Sequence, residues 1–303
     1  MPSDIFRPLV FIASGAVPAT GFAVRHDLTT MQTSSDPVEK GSTPVKSPAT
    51  DLHGIARDVS HPRSCHTNPS VSCGDCRLGE LCLPIALDAS EITHLDEIVK
   101  RGRALNKGDY LYREGDEFTS VYAIRAGSFK TFKTTVDGQE QVTGLYLPGE
   151  IVGMDGISSN RHGSSAVALE TGSFCEIPFH QLEELSARIP SLQGRFFRLM
   201  GQEIVKDQQM LTLVSSNAAE ERVAALLLSI SSRNHRRKLS STQFRLAMTR
   251  ADIGSYLGVT LETVSRVFSR LQKQSIVKVD NKEIEVIDMP ALKALAKVNV
   301  TGC

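Results

Sequence analysis

The sequence predicts an α+β protein in which an antiparallel β-barrel (jelly roll) is followed by a long helix and a C-terminal winged helix-turn-helix. Three observations lead to this prediction. Short apolar runs separated by turn residues fill residues 103–179, as in all-β barrels. A 3-4 repeat of apolar positions runs through residues 190–215, and two capped helical segments joined by a glycine follow at residues 249–274.

Length and composition limit the number of domains and the kind of protein that the chain can form. A chain of 303 residues has room for two compact domains and a tail. We expect no membrane span, because no run of about 18 apolar residues occurs. The apolar residues 9–24 resemble a short signal peptide, but two glycines and a proline interrupt them. We therefore interpret residues 1–60, rich in Ser, Thr, Pro and Gly from Met31 onward, as a disordered leader, and Met31 as a plausible alternative start.

Three thiols fall within ten residues, because Cys73, Cys76 and Cys82 follow the pattern C-x2-C-x5-C. Cys175, far downstream, is a fourth candidate ligand. Four thiolates hold either a tetrahedral zinc ion or an iron–sulfur cluster. The wide x5 gap and the remote fourth ligand favour a cluster, although spacing alone leaves zinc, disulfides and free thiols open. Cysteines concentrated in one loop are typical of metal ligation in a reducing cytoplasm.

The barrel follows this cysteine loop, which we place at residues 61–86, and the predicted barrel domain covers residues 87–189. Residues 87–99 are predicted to form a short helix capped by Asp88 or Ser90. The strands come after it, and the dipeptide at 137–138, Asp-Gly, is a strong hairpin signal.

The long helix, residues 190–215, has the spacing of a coiled-coil seam, and packing on its own domain is the alternative. Asp207 lies inside the seam, where in a parallel dimer it would face its own copy and be repelled. The sequence therefore predicts a weak dimer that another event controls. The seam residues are Phe197, Met200, Ile204, Asp207, Leu211 and Val214.

The C-terminal domain, residues 216–303, carries 14 Lys and Arg against 8 Asp and Glu, whereas residues 61–215 carry 15 against 20. This basic surplus indicates an anionic partner for the C-terminal domain. We predict a helix over residues 217–232, a strand over 244–248, and a two-stranded wing at 275–279 and 283–287.

The two helices of the motif are predicted over residues 250–257 and 261–274, capped by Thr249 and Thr260 and joined at Gly258. An ordinary pair of packed helices is the alternative to a DNA-binding unit. On the second helix four polar residues are expected to face outward, toward base edges: Glu262, Ser265, Arg266 and Ser269.

These features together resemble the CRP/FNR family of bacterial transcription regulators, and in particular its oxygen-sensing FNR (Anr-type) branch. The resemblance covers residues 65–296. Its motifs are Cys73-x2-Cys76-x5-Cys82-Leu-Pro, Tyr122-Ala-Ile-Arg, Cys175-Glu-Ile-Pro-Phe, Ala219-Glu-Glu-Arg, Phe244-Arg-Leu-x-Met-Thr-Arg and Glu262-Thr-Val-Ser-Arg266. The barrel is then expected to be of the cyclic-nucleotide-binding type.

The resemblance implies that Cys73, Cys76, Cys82 and Cys175 hold a [4Fe-4S] cluster, which oxygen converts to [2Fe-2S]. The homodimer present with the intact cluster then dissociates, and Asp207 keeps the cluster-free protein monomeric. It implies no ligand role for the cysteines at positions 65 and 303.

The expected partners are double-stranded DNA and RNA polymerase. The resemblance implies a palindromic operator with half-sites of the TTGAT type. Side-chain chemistry suggests Arg266 for guanine, Glu262 for a cytosine amino group and Ser265 near a thymine, with Arg250 and Lys273 on phosphates. The branch generally activates transcription, and one surface that it uses to contact polymerase matches the hairpin residues Thr134, Thr135, Gly138 and Gln139.

Other functions find less support in the residues. The Arg-Ser pair that grips a cyclic phosphate in the nucleotide-binding branch is here Ser164-Ser165, and a buried phosphodiester without a guanidinium partner would be costly. His94, His162 and His180 lie in no haem-ligand motif. No Ser-His-Asp pattern, phosphate loop or paired-carboxylate motif indicates an enzyme. The remaining alternative is a regulator of the same family with a structural zinc site or another effector in the barrel.

Overall fold

The computed structural model describes residues 71–297, so the predicted leader, the alternative start at Met31, and the cysteines at positions 65 and 303 lie outside the described residues. The described chain begins with the cysteine loop, residues 71–82, which ends in a 3-10 helix, Leu83–Ala86. Helix α1, Ala89–Ile98, follows. The Asp88 side chain accepts hydrogen bonds from the backbone N–H groups of Ser90 and Glu91, while Glu91 accepts from the Asp88 N–H. This reciprocal cap confirms Asp88 as the helix start.

Eight strands form two four-stranded antiparallel sheets, with orders β1-β8-β3-β6 and β2-β7-β4-β5. Side chains from both sheets meet in one core, so the predicted jelly roll is confirmed. The strands are β1 Lys100–Arg101, β2 Tyr110–Tyr112, β3 Ser120–Ala126, β4 Phe129–Thr134, β5 Glu140–Tyr146, β6 Ile151–Val152, β7 Ser165–Ala168 and β8 Ser173–Pro178.

Two helices leave the barrel. Helix α2, Phe179–Arg188, is separated by a single residue, Ile189, from the long helix α3, Pro190–Ser216. The sequence predicted α3 almost to the residue but assigned no helix to residues 179–188. Helix α2 directly follows β8, the strand that holds Cys175, and the sequence analysis therefore assigns its residues to the barrel domain.

The C-terminal domain contains four helices and three strands within the described residues. The helices are α4 (Ala219–Arg236), α5 (Arg250–Leu257), α6 (Leu261–Lys273) and α7 (Met289–Ala296). The strands are β9 (Gln243–Arg245), β10 (Val277–Asp280) and β11 (Glu283–Val286). The predicted helix-turn-helix is confirmed. The two predicted wing strands pair as β10 and β11, and the predicted strand before the helix-turn-helix, β9, pairs with β11 and extends the wing to a three-stranded sheet in the order β10-β11-β9. Helix α7 was not predicted.

An ion-pair cluster joins the barrel to α4. Glu150, in the turn before β6, accepts hydrogen bonds from Arg233 and Arg237. Burial alone would raise the pKa of Glu150, but the guanidinium of Arg233, and then that of Arg237, outweighs burial and brings the pKa down to about 2. The carboxylate therefore stays charged and holds two largely buried cations.

A second contact links the barrel to α5. The ammonium of Lys130 on β4 lies 2.8 Å from the Asp252 carboxylate, and the Ser255 hydroxyl accepts a hydrogen bond from the Val142 N–H at 2.8 Å. The first helix of the helix-turn-helix is thus fixed to the β4–β5 hairpin.

Replacing Glu150 with Gln should destabilise the metal-free protein by about 3 kcal/mol at pH 7, because both guanidinium groups would remain buried without a carboxylate. The folded-state pKa is below the ordinary value of 4.5, so the stabilisation is complete above that pH and is lost as the pH falls toward 2. Urea denaturation followed by circular dichroism measures both effects. Glu140→Gln is the matched control, since the exposed Glu140 shares Lys130 with Asp252 and should cost less than about 1 kcal/mol. Equal losses for the two variants would contradict this account.

Candidate functional site

Consecutive turns shape the cysteine loop. The Gly79 N–H donates to the Cys76 carbonyl and the Cys82 N–H to the Leu78 carbonyl, both at 2.9 Å. The start of the loop is tied to α1, because the Cys73 N–H donates to the Asp96 carboxylate at 2.7 Å. Arg101 on β1 forms an ion pair with the same carboxylate and fixes it in place.

The end of the loop packs on the barrel at Gly149. This residue has φ +89°, and a Cβ there would lie 2.9 Å from the Leu81 Cβ. Only glycine combines that backbone conformation with so close an approach. From the other side, Arg195 on α3 donates to the carbonyl oxygens of Leu81 and Cys82. The loop therefore lies between the barrel and the long helix.

The four predicted ligand thiols line one cavity. Cys175 stands on β8, opposite Arg101 on one side and Ala123 on the other, and the loop brings the other three cysteines to it. Each of the four is a free cysteine at intermediate exposure. The rest of the lining is largely apolar and includes Leu83, Leu95 and Ile177.

The described residues contain no ready-made site for a single metal ion. Within residues 71–297 no three His, Cys, Asp or Glu side chains are grouped closely enough to hold a single metal ion. Four thiolates around one zinc stand about 3.8 Å apart, as follows from a tetrahedron of 2.3 Å bonds.

Burial controls the charge of the thiols. It raises the pKa of Cys82 to about 12 and also raises the pKa of Cys73 and of Cys175. At Cys73 the hydrogen bond to Asp96 adds to the effect, whereas at Cys175 the charge of Arg125 opposes it. Thiolates at Cys73, Cys82 and Cys175 therefore need a metal centre that supplies positive charge.

The predicted seam on α3 is largely uncovered in the single chain. Phe197 is 58% exposed, Ile204 59% and Leu211 67%, while Met200 is partly buried. The sequence missed Val205, 48% exposed, which lies beside the seam. An apolar stripe of this kind is typical of a subunit interface.

Asp207 interrupts this stripe. Partial burial raises its pKa, and the carboxylate of Glu203, one turn earlier, raises it further. Lys206 acts in the opposite direction but pairs with Glu203. The residue is thus already unfavourably placed for a charge before a second copy approaches.

The helix-turn-helix is built by side-chain caps and one left-handed residue. Thr249 and Thr260 accept hydrogen bonds from the Asp252 and Thr263 N–H groups, and Gly258 ends α5 at φ +65°. The inner face of α6 is apolar and buried, with Val264, Val267, Phe268 and Leu271. The predicted outer residues Glu262, Arg266 and Ser269 are exposed, and Ser265 is partly so.

The two predicted phosphate contacts differ in their surroundings. Lys273 is exposed at the end of α6. Arg250 is half-buried, and its guanidinium carbon lies 3.6 Å above the Phe268 ring. Stacking holds the guanidinium in a fixed orientation, with its cationic edge near the start of α5.

The predicted polymerase-contact residues form the turn of the β4–β5 hairpin. The Thr135 N–H donates to the Gln139 carbonyl at 2.9 Å, and the Gly138 N–H to the Thr135 carbonyl at 2.8 Å. Thr134 is the last residue of β4. The tip is exposed, and Val136 is fully so.

The barrel interior is occupied by protein side chains. The rings of Tyr112 and His162 stack with centroids 3.7 Å apart. Ser164 donates to the Asp155 carboxylate at 2.7 Å, and Ser165 accepts from the Glu114 N–H. Both serines that replace the phosphate-gripping pair are therefore engaged within the chain.

Sequence reasoning missed the residues that hold the loop, namely Asp96, Arg101 and Arg195. It also missed Lys130 and Asp252, which join the domains. All are charged residues in segments without a recognisable motif, and their roles follow only from the contacts that they make in the folded chain.

Family models match two regions of the chain. Residues 102–188 match the cyclic nucleotide-binding domain, and residues 221–295 match the Crp-like helix-turn-helix domain. A barrel and a helix-turn-helix of these types, joined by a long helix, are the architecture of a CRP-type transcription regulator. No helix within residues 71–297 has the length and apolarity needed to cross a membrane.

Curated relatives show to which group of CRP-type regulators the chain is similar. The transcriptional activator protein Anr of Pseudomonas protegens is 47% identical over 80% of this chain and all of its own length. The fumarate and nitrate reduction regulatory protein of Vibrio cholerae is 44% identical, covering 76% of this chain and 92% of its own. Among solved structures, FixK2 from Bradyrhizobium japonicum aligns with a TM-score of 0.61 and 27% identity over 66% of this chain and 98% of its own. The chain belongs to the FNR/Anr group of the CRP/FNR family, whose members are transcription regulators and not enzymes.

Proposed function

We propose that this protein is an oxygen-responsive transcription regulator, mainly an activator of anaerobic genes, acting in the cytoplasm. In this proposal a [4Fe-4S] cluster on Cys73, Cys76, Cys82 and Cys175 controls dimerisation and operator binding. The observation that carries it is the convergence of thiols from two distant segments on one cavity, together with the contact of the cysteine loop with Arg195 of α3.

The residues fit such a cluster. Four cysteines are the usual ligand set, all four line one cavity, and the rest of its lining is largely apolar. When bound, the cluster would supply iron that reacts with oxygen. The protein's own part is to hold the loop between barrel and helix, so that a change in ligation moves the elements that contact α3.

The exposed seam on α3 supports a homodimer. Two Asp207 carboxylates about 4 Å apart would repel each other by at most about 4 kcal/mol at an effective dielectric near 20, and solvent reduces that value. The apolar stripe alone then gives a marginal dimer. The bound cluster would favour pairing by fixing the start of α3.

In the dimer two α6 helices would read a palindromic operator in successive major grooves, one helical turn apart. We assign Arg266 to a guanine, Glu262 to a cytosine amino group and Ser265 to the region of a thymine. Arg250 and Lys273 would hold phosphates, which gives affinity without sequence information. The β4–β5 tip, with Thr134, Thr135, Gly138 and Gln139, would contact RNA polymerase.

Cluster loading is the first test. Protein reconstituted without oxygen should contain about four iron and four sulfide per chain and show a broad thiolate-to-iron absorption that bleaches in air. Cys175→Ser should lose most of the iron, whereas the control Cys303→Ser should load like the wild type. A colourless protein that binds zinc, or normal iron loading of Cys175→Ser, would rule the proposal out.

The repulsion at Asp207 gives the second test. Asp207→Ala should lower the dissociation constant of the metal-free dimer at least about tenfold, since removing 1.4 kcal/mol of repulsion is enough for that change. Sedimentation velocity in air measures it. The exposed neighbour Gln208 provides the control variant Gln208→Ala, which should remain as monomeric as the wild type. An unchanged monomer fraction for Asp207→Ala would defeat the argument.

Base selection gives the third test. Glu262→Ala should relax the preference at one operator position by about 1–3 kcal/mol and leave non-specific affinity nearly unchanged. Lys273→Ala should instead weaken all sequences alike and lower the salt slope by about one. Fluorescence anisotropy with a set of single-base operator variants distinguishes the two patterns. Equal weakening on every sequence by Glu262→Ala would show a structural role.

A further inference from the structure

Arg195 is an unusual buried cation. It lies in the second turn of α3 and is 8% exposed. Its Nε donates to the Cys82 carbonyl at 3.1 Å and an Nη to the Leu81 carbonyl at 2.5 Å. Within residues 71–297 no carboxylate pairs with it. The equally buried Arg233, by contrast, is paired with Glu150.

The surroundings of Arg195 leave its charge poorly compensated. Two carbonyl oxygens satisfy some of its hydrogen bonds but carry no net charge. A buried guanidinium is stabilised when an anion faces it, and because Arg195 binds the backbone of Cys82, an anionic group held by the cysteines would supply that charge.

We propose that Arg195 is a positioning residue that pairs with the anionic four-thiolate site when the metal group is bound and so sets the start of the dimerisation helix. This inference rests on the proposed cluster. Four thiolates around a [4Fe-4S] core of charge +2 leave a net charge of −2 at the site, whereas four protonated thiols leave none. The guanidinium therefore has an anionic neighbour in one state and lacks it in the other.

The position of Arg195 on α3 connects this charge to the seam. The next residue, Phe196, is buried in the core that the cysteine loop also touches, and Phe197 is the first seam residue, 58% exposed. A tighter bond between Arg195 and the loop fixes this turn of α3 relative to the barrel. The first seam position is then presented to the partner in one orientation.

The test compares Arg195→Gln, which keeps hydrogen-bond donors without the charge, with Arg195→Lys, which keeps the charge. Arg198→Gln, an exposed arginine less than one turn away, is the matched control. Each full-length protein is reconstituted without oxygen. Two quantities are measured, namely the reduction potential of the cluster by spectroscopic titration and the dimer dissociation constant, with and without the metal group, by sedimentation.

For Arg195→Gln we expect a lower reduction potential and an about tenfold weaker loaded dimer, the size expected for one charge-assisted hydrogen bond. The oligomeric state of the metal-free protein should be unchanged. Arg195→Lys should restore the potential and most of the dimer affinity. Arg198→Gln should match the wild type in both measurements.

Three results would overturn the inference. If Arg195→Gln weakens the loaded and the metal-free dimer equally, Arg195 acts as a structural contact whose effect does not depend on the charge of the cysteine site. A wild-type potential in Arg195→Gln would show that the guanidinium does not sense the site. If Arg195→Gln fails to fold, a shifted potential in Arg195→Lys contradicts the role of charge. A wild-type protein that takes up no iron would instead refute the proposed function, and this inference with it.

Discussion

The cysteine loop is held in place by contacts from three sides, and the rest of the candidate sensor depends on them. Asp96 fixes the backbone at Cys73, Gly149 allows Leu81 to approach the barrel, and Arg195 binds the carbonyl of Cys82. The loop has only turn hydrogen bonds of its own. Its three thiols therefore reach Cys175 because neighbouring elements place them there. One of those elements is the helix that carries the exposed seam, so in the proposed mechanism ligation and subunit pairing would share a piece of backbone.

The second constraint lies between the domains. Glu150 holds two arginines of α4, and Lys130 holds the N-terminal end of α5 through Asp252. Charged groups with so little access to water impose a definite geometry, because each loses its partner when the domains separate. The helix-turn-helix is thus oriented by the barrel directly, in addition to its covalent link through α3. A signal at the cysteine loop has two routes to α6, one along the long helix and one across the barrel.

The sequence was sufficient for the elements whose pattern is local. Caps at Asp88, Thr249 and Thr260, the left-handed Gly258 and the seam spacing on α3 each depend on a few neighbouring residues, and each is found where predicted. Helix α2 was missed, and strand β9 was predicted over residues 244–248 without its pairing to β11, because both depend on what they pack against. The four cysteines were identified from spacing and resemblance together. The residues that hold them in register could not be identified in this way. The two backbone carbonyl groups that Arg195 binds, for example, lie more than a hundred positions away in the sequence.

The β4–β5 hairpin has a consequence for how the molecule would transmit force. Its tip carries Thr135 and Gln139, while its body carries Lys130 and Val142, which contact α5. Two hydrogen-bonded strands form a stiff ribbon, so a load applied at the tip reaches the helix-turn-helix within a few residues. A protein bound to the tip would therefore act on α5, the helix that begins with the proposed phosphate contact Arg250. Promoter geometry and polymerase geometry would then be mechanically linked through one hairpin, and the spacing between operator and promoter would be restricted by its stiffness.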